Sequence, residues 1–246
     1  MRTIHSLLLA LIPVTAASLS AQTVYYTETF PNSGSASLGV GSAGWQTFVT
    51  SSATDRSTNT NAANGFLIST QIGFNGSGGY LSTTLKDIGL TFTDEFTAID
   101  RSLTEIVTLS MATNNANTSD TYRFAIQIDV SGTPTWYATD ATFTQTTSGA
   151  HDNFETNGEI KTFNFTTDGS AWRELTFTAG SELSLAASTI SGSLPSGDLL
   201  AAGVYNDLPT GTLRWDQYEI AVVPEPAAAA LLFGGLAFLF CLRRRR

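Results

Sequence analysis

Between residues 22 and 223 the chain is written in a two-residue period: short runs of alternating apolar and polar side chains, broken repeatedly by Gly, Asn, Ser and Asp. That period buries one face of a β-strand and wets the other, and an α-helix has no use for it. The clearest runs are 24–30 (VYYTETF), 103–111 (LTEIVTLSM), 122–130 (YRFAIQIDV) and 160–166 (IKTFNFT). Further strand candidates are 45–50, 66–70, 80–85, 135–139, 172–178, 199–205 and 212–223. Helical periodicity is confined to the two ends of the chain. Many short strands with turn residues between them predict an all-β domain, a two-sheet antiparallel β-sandwich, with a closed barrel as the alternative. No repeat or linker divides the region, so 22–223 reads as one domain. The segments 51–64 and 113–119 are rich in Asn, Ser and Thr and read as surface loops, with few apolar groups to offset the entropy of ordering.

Composition narrows the class. Only 13% of the 246 residues are charged, against the roughly 25% usual for soluble domains, and Thr, Ser, Asn and Gly take their place. This is the balance of an exported β protein. A net charge of -9, with no basic run inside the folded part, argues against nucleic acid as a partner, because phosphates demand Lys and Arg. One cysteine makes no internal disulfide, and with two histidines it gives neither a zinc cluster nor a Cys/His catalytic pair.

The ends carry addresses. Arg2, the apolar stretch 7–17 and small residues up to Ala21 form an N-terminal signal helix, residues 1–21, too short to span a bilayer. Cleavage after Ala21 puts Leu19 where a small residue is preferred, so Ser18 and Ser20 stay open as alternatives. At the other end stand Pro224, Glu225 and Pro226, then sixteen apolar residues (227–242), then Arg243, Arg244, Arg245 and Arg246. Sixteen helical residues are about 24 Å long, slightly under the roughly 30 Å of a bilayer core, and snorkelling arginines cover the difference. The terminal arginines keep that end cytoplasmic, which places everything before Pro224 outside. Pro224 and Pro226 hold the junction extended and accessible. Cys241, inside the apolar segment, reads as a small apolar residue.

This order of motif, transmembrane helix and arginine cluster resembles the PEP-CTERM sorting signal of bacterial exported proteins, over residues 224–246. The resemblance implies recognition of Pro224, Glu225 and Pro226 by a membrane-embedded, exosortase-like processing enzyme, with Arg243 to Arg246 as the stop signal. The protein would then be a membrane-anchored precursor, passed to the cell envelope surface or extracellular matrix. In the domain itself, segments 124–130 (FAIQIDV) with Trp136 and Tyr137, 172–177, 199–205 and 213–220 are similar to laminin G-like and concanavalin A-like jelly rolls. Lectins, carbohydrate-binding modules, glycanases and adhesive modules all use that fold, so it leaves function open.

The chemical candidates are few. Catalytic carboxylates of a glycanase must face one cleft. Asp94 and Glu95 are adjacent, and the odd spacing of Asp216 and Glu219 predicts opposite faces in a regular strand, so the expectation is no enzyme. His151, beside Asp152, reads as a loop residue. Glycan binding needs exposed aromatic faces with nearby amides and carboxylates; the candidates are Trp136, Tyr137, Trp45 and Tyr205. Trp136 and Tyr137 are neighbours in a strand and face opposite sides, which leaves at least one as a candidate for exposure. No cofactor is expected; a structural Ca2+ on Glu28 or Asp216 is the one candidate ion. The sequence therefore predicts an exported, non-enzymatic surface or matrix protein associated with exopolysaccharide, with a lectin-like carbohydrate-binding module as the alternative and a glycan hydrolase third. Loss of residues 1–21 removes one basic residue, and loss of 224–246 removes four basic and one acidic. The product has 7 basic and 20 acidic residues, a net charge of -13.

Overall fold

A computed structural model describes residues 23–28, 38–39, 44–49, 69–74, 79–84, 89–95, 103–113, 121–145, 158–178, 181–208 and 212–222. They contain fourteen strands: β1 (Thr23–Glu28), β2 (Leu38–Gly39), β3 (Trp45–Val49), β4 (Ser69–Phe74), β5 (Gly79–Thr84), β6 (Gly89–Thr93), β7 (Ile106–Thr113), β8 (Thr121–Val130), β9 (Thr133–Thr139), β10 (Glu159–Asn164), β11 (Trp172–Thr178), β12 (Glu182–Thr189), β13 (Leu199–Leu208) and β14 (Thr212–Val222). Two seven-stranded antiparallel sheets result. The first runs β10-β7-β14-β5-β4-β2, with β1 also paired to β14; the second runs β12-β11-β9-β8-β13-β6-β3. Among the described residues no helix is long and apolar enough to cross a membrane; the signal helix and the C-terminal transmembrane helix expected from sequence lie outside these residues.

The sheets pack face to face, as the alternation predicts. Leu109 and Met111 of β7 and Trp215, Tyr218 and Ile220 of β14 meet Phe124, Ile126 and Ile128 of β8, Tyr137, Trp172 and Trp45 in one buried cluster. Trp45, Trp215 and Tyr218 form its aromatic centre, with ring centroids 4.8 to 5.8 Å apart and edge or tilted geometry. The indole of Trp172 donates to the carbonyl of Thr166 at 2.7 Å, which ties the segment after β10 to the core.

Two local devices set the register. Ser131 and Gly132, both at positive φ, make the two-residue turn of the β8–β9 hairpin, and Asp129 accepts from the Gly132 N–H at 2.6 Å. In β14 the register advances three residues, from Asp216 to Glu219, while β7 advances two, from Ala112 to Ser110. The extra residue is Gln217, at φ 52. Such a bulge reverses the parity of a strand, so Trp215 before it and Tyr218, Ile220 and Val222 after it all face the core.

The middle of the second sheet is buried on both sides. Residues 122–126 of β8 are buried without a break. Phe124 and Ile126 point into the sandwich, whereas Ala125 joins a second cluster with Phe48, Leu90, Phe92, Trp136, Ala138, Leu175, Leu183, Ala201 and Tyr205. That cluster lies on the outer face. Five strand spacings separate β3 from β11, roughly 24 Å in a flat sheet. Yet the rings of Phe48 and Phe177 are 4.7 Å apart, so the sheet curls until side chains from both ends meet over a concave floor. The floor is small: Ala138, Ala125 and Gly203 are consecutive cross-strand neighbours, followed by Phe92. A Cβ on Gly203 would lie 2.1 Å from the Thr91 carbonyl oxygen and 2.6 Å from the Phe92 Cα. Those neighbours are backbone and cannot rotate away.

Compared with the sequence reading, β2, β6 and β12 are additional strands. The run 103–111 begins as a 3-10 turn (Leu103–Glu105) before β7, and of the candidate 66–70 the last two residues open β4, while 66–68 lie outside the described residues. Gly203→Ala is expected to destabilise the domain by about 2 kcal/mol or more through overpacking, read as a lower midpoint in denaturant; an unchanged midpoint would contradict the close approach of β13 and β6.

Candidate functional site

Outside the sandwich interior the concave face gathers five aromatic side chains of the described residues, Tyr205 of β13 and four others. Phe48 comes from β3, Phe92 from β6, Trp136 from β9 and Phe177 from β11. Phe92 and Trp136 have centroids 4.7 Å apart, and Trp136 and Phe177 6.3 Å apart, both edge to face. These rings fill the hollow that the curl creates, so the surface expected to greet a ligand is occupied by the protein's own side chains.

This decides the fate of the glycan-binding candidates. Trp136 and Tyr137 do face opposite sides, one in the concave cluster and one in the sandwich core. Neither is exposed, at 3% and 4%, and Trp45 and Tyr205 are inside at 0% and 2%. The reason is the curl: in a flat sandwich the outer face would be wet, whereas here both faces of β8 and β9 are core. Burial also pushes the Tyr137 hydroxyl up from its usual range, with the nearby Glu174 charge adding to the effect and a hydrogen bond with Thr135 opposing it. Among the described residues the buried Nε1 of Trp136 has no hydrogen-bond partner, nor have the two side-chain polar atoms of Asn206, a β13 residue 2% exposed. An unsatisfied buried group costs about 1–3 kcal/mol.

Inverted patterning accompanies the curl. In β6, Leu90 and Phe92 point to the concave side while Thr91 and Thr93 point between the sheets; Thr47 of β3 joins them, its hydroxyl 3.0 Å from that of Thr91. All three threonines are buried. At this end the inter-sheet wall is hydroxyl-lined, and Glu28 faces it. Glu28 is the cross-strand partner of Tyr218 in β14 and shares its inward face. Tyr26 donates to its carboxylate at 3.3 Å. Burial pushes the Glu28 carboxyl above the usual range and the nearby Glu95 pushes it the same way, while hydrogen bonds from Tyr26 and Trp45 hold it down.

Asp216 is elsewhere. It lies between Trp215 and the bulge, on the face of β14 opposite to Tyr218, so Glu28 and Asp216 are not brought together as an ion site. No group of three or more His, Cys, Asp or Glu that could hold a metal occurs among the described residues. The bulge corrects a second expectation. Odd spacing predicted opposite faces for Asp216 and Glu219, but with one residue inserted between them both point to the outer side of the first sheet. Asp94 and Glu95 follow β6 in a turn, both exposed. His151, Pro224, Glu225, Pro226 and Arg243 to Arg246 lie outside the described residues.

No model of a protein family matches the chain, and no curated protein matches it. Among solved structures it is similar to the C-terminal family 22 carbohydrate-binding module of Clostridium thermocellum Xyn10B, at 12% identity and a TM-score of 0.38, over 81% of this chain and 94% of that one. A likeness at that level carries no argument about this protein.

Sequence reasoning missed the Phe48–Phe92–Phe177 contribution and Glu95 beside Glu28. The alternation in Leu90-Thr91-Phe92-Thr93 was there to be read, but it identifies a strand and not which side of it is core. Since all four tryptophans, Trp45, Trp136, Trp172 and Trp215, are at most 3% exposed, native fluorescence is expected to be blue-shifted and insensitive to iodide; a quenchable fraction lost on Trp136→Phe would place Trp136 at the surface instead.

Proposed function

We propose that this chain is an exported, non-enzymatic component of the cell surface or extracellular matrix, a jelly-roll-type sandwich delivered by a PEP-CTERM-type tail. The observation that carries the reading is the ordered C-terminal signature: Pro224, Glu225 and Pro226, then the apolar segment, then four arginines. Two structural facts support it. β14 ends at Val222, so in sequence the motif begins two residues after the last strand. Thr23, just after the expected signal cleavage, is the cross-strand partner of Val222. The two expected processing sites therefore lie, in sequence, next to the ends of one strand pair, β1 and β14.

The outer face of the first sheet suits a hydrated polymer. Thr162 and Asn164 of β10 are exposed, and Ser110 and Glu219 continue the face across β7 and β14. Hydroxyl, amide and carboxylate groups of this kind exchange hydrogen bonds with polysaccharide and water alike. A dedicated carbohydrate-binding module is the second reading. The observation that favours it is the unsatisfied Trp136 donor within an aromatic hollow, which has to open before a sugar ring can stack there.

Intact-mass measurement of the protein recovered from the producing cell's exterior tests the sorting proposal. The expected product begins after the signal peptide and ends near Pro226; a product that retains Arg243 to Arg246 would overturn processing by an exosortase-like enzyme.

A further inference from the structure

β10 lies at the edge of the first sheet, where β7 is its one strand partner among the described residues. The ladder fixes the direction of its remaining hydrogen-bonding groups. Glu159 lies opposite Thr113 and Asn164 opposite Thr108, and one step further on the Phe165 N–H donates to the Val107 carbonyl at 2.8 Å. In an antiparallel pair only alternate residues exchange hydrogen bonds with the neighbouring strand. Glu159, Lys161 and Phe163 therefore bond β7, and the N–H and C=O groups of Ile160, Thr162 and Asn164 point away from it, toward the edge.

Those same three residues have exposed side chains. Ile160, at 57%, is one of two large apolar side chains exposed among the described residues. On the opposite face of the strand Lys161 pairs with Glu159, and Phe163 packs against the core.

An unpaired edge is a template for a further strand, and an inward-pointing lysine is a common way of closing it. Lys161 alone would have that effect. With Glu159 on the same face two residues before it, the lysine instead discriminates among registers. A second β10 that approaches antiparallel keeps its side chains on their own faces only where outward residues meet outward ones. A two-fold axis through Lys161 would oppose Lys161 to itself, and like charges directly opposite are destabilising. An axis through Thr162 would set Ile160 against Asn164 and Lys161 against Phe163. An axis through Ile160 sets Ile160 against Ile160, with Lys161 against Glu159 on each side of it.

We propose that β10 is a self-association edge, pairing antiparallel with β10 of a second copy of this chain about a two-fold axis through Ile160. The contact is isologous, so each Lys161 meets Glu159 of the second copy and each Glu159 meets Lys161 of the second copy. The edge-directed groups of Ile160 exchange hydrogen bonds at the axis, and those of Thr162 do so with Gly158 of the second copy. The first sheets of the two copies become one continuous sheet. So short a contact is weak in dilute solution and takes effect where copies are confined together at high effective concentration. Any confinement serves, whether or not the sorting signal operates.

Disulfide trapping of the full chain, with Cys241→Ser to remove its own thiol, tests the pairing. Opposed residues that exchange hydrogen bonds have Cα atoms about 5.5 Å apart, within disulfide reach. Asn164 lies four residues from the axis and hence about 27 Å from Asn164 of the second copy. Ile160→Cys is therefore expected to give covalent dimer on mild oxidation about tenfold faster than Asn164→Cys. Adding Lys161→Glu to Ile160→Cys slows trapping about tenfold, because like charges then meet on both sides of the axis. Exchanging the charges, Glu159→Lys together with Lys161→Glu, restores the rate and separates a lost contact from a damaged fold. Equal trapping at 160 and 164, faster trapping through Thr162→Cys, a rate indifferent to Lys161→Glu, or no recovery on charge exchange would overturn the proposal.

Discussion

The contact between Phe48 and Phe177 joins strands five places apart in one sheet, and most of the molecule's other properties follow from it. A sheet that faces water on one side needs one hydrophobic face. A sheet bent until its ends touch encloses a second hollow, which must be filled with apolar groups or with water. This chain fills it with rings from β3, β6, β9 and β11, above a floor of Ala125, Ala138, Ala201 and Gly203. Large residues at the margins and small ones in the middle are the composition a concave surface requires. The second sheet thereby becomes the inner wall of two cores, one shared with the first sheet and one its own.

That arrangement determines where chemistry is available. Aromatic side chains are plentiful, but the tryptophans are committed to packing, and the exposed face of β10 carries Thr162 and Asn164 beside Ile160. Meanwhile β3 and β6 turn their threonines inward, and a polar strip results between the sheets next to Glu28. An ionisable side chain is tolerated there because Tyr26 and Trp45 hydrogen-bond it, at the cost of a raised carboxyl. Apolar packing is thus divided between two aromatic cores, one on each face of the second sheet.

The two-residue period was enough to find the sandwich, its antiparallel character and most of its strands, because side-chain alternation is a local property. It did not reveal the curl. Curvature depends on how neighbouring strands stack small and large residues, as Ala138, Ala125, Gly203 and Phe92 do across four strands, and no single strand records it. For the same reason Trp136 and Tyr137 were correctly assigned to opposite faces yet could not be known to be both buried. Asp216 and Glu219 show a different limit. Their spacing was read with strict alternation, and one inserted residue, Gln217, reversed the answer. The readings of the two ends rest on length, hydropathy and terminal charge, and they fall on residues outside those described.

A double-mutant cycle on Phe48 and Phe177, each replaced by leucine and the stabilities followed by denaturant unfolding, tests the closure of the second sheet most directly. Rings in edge-to-face contact across the hollow predict a coupling energy of about 0.5–1.5 kcal/mol. Strict additivity of the two substitutions would mean that the ends of the sheet do not meet, and would contradict the concave aromatic core on which this account rests.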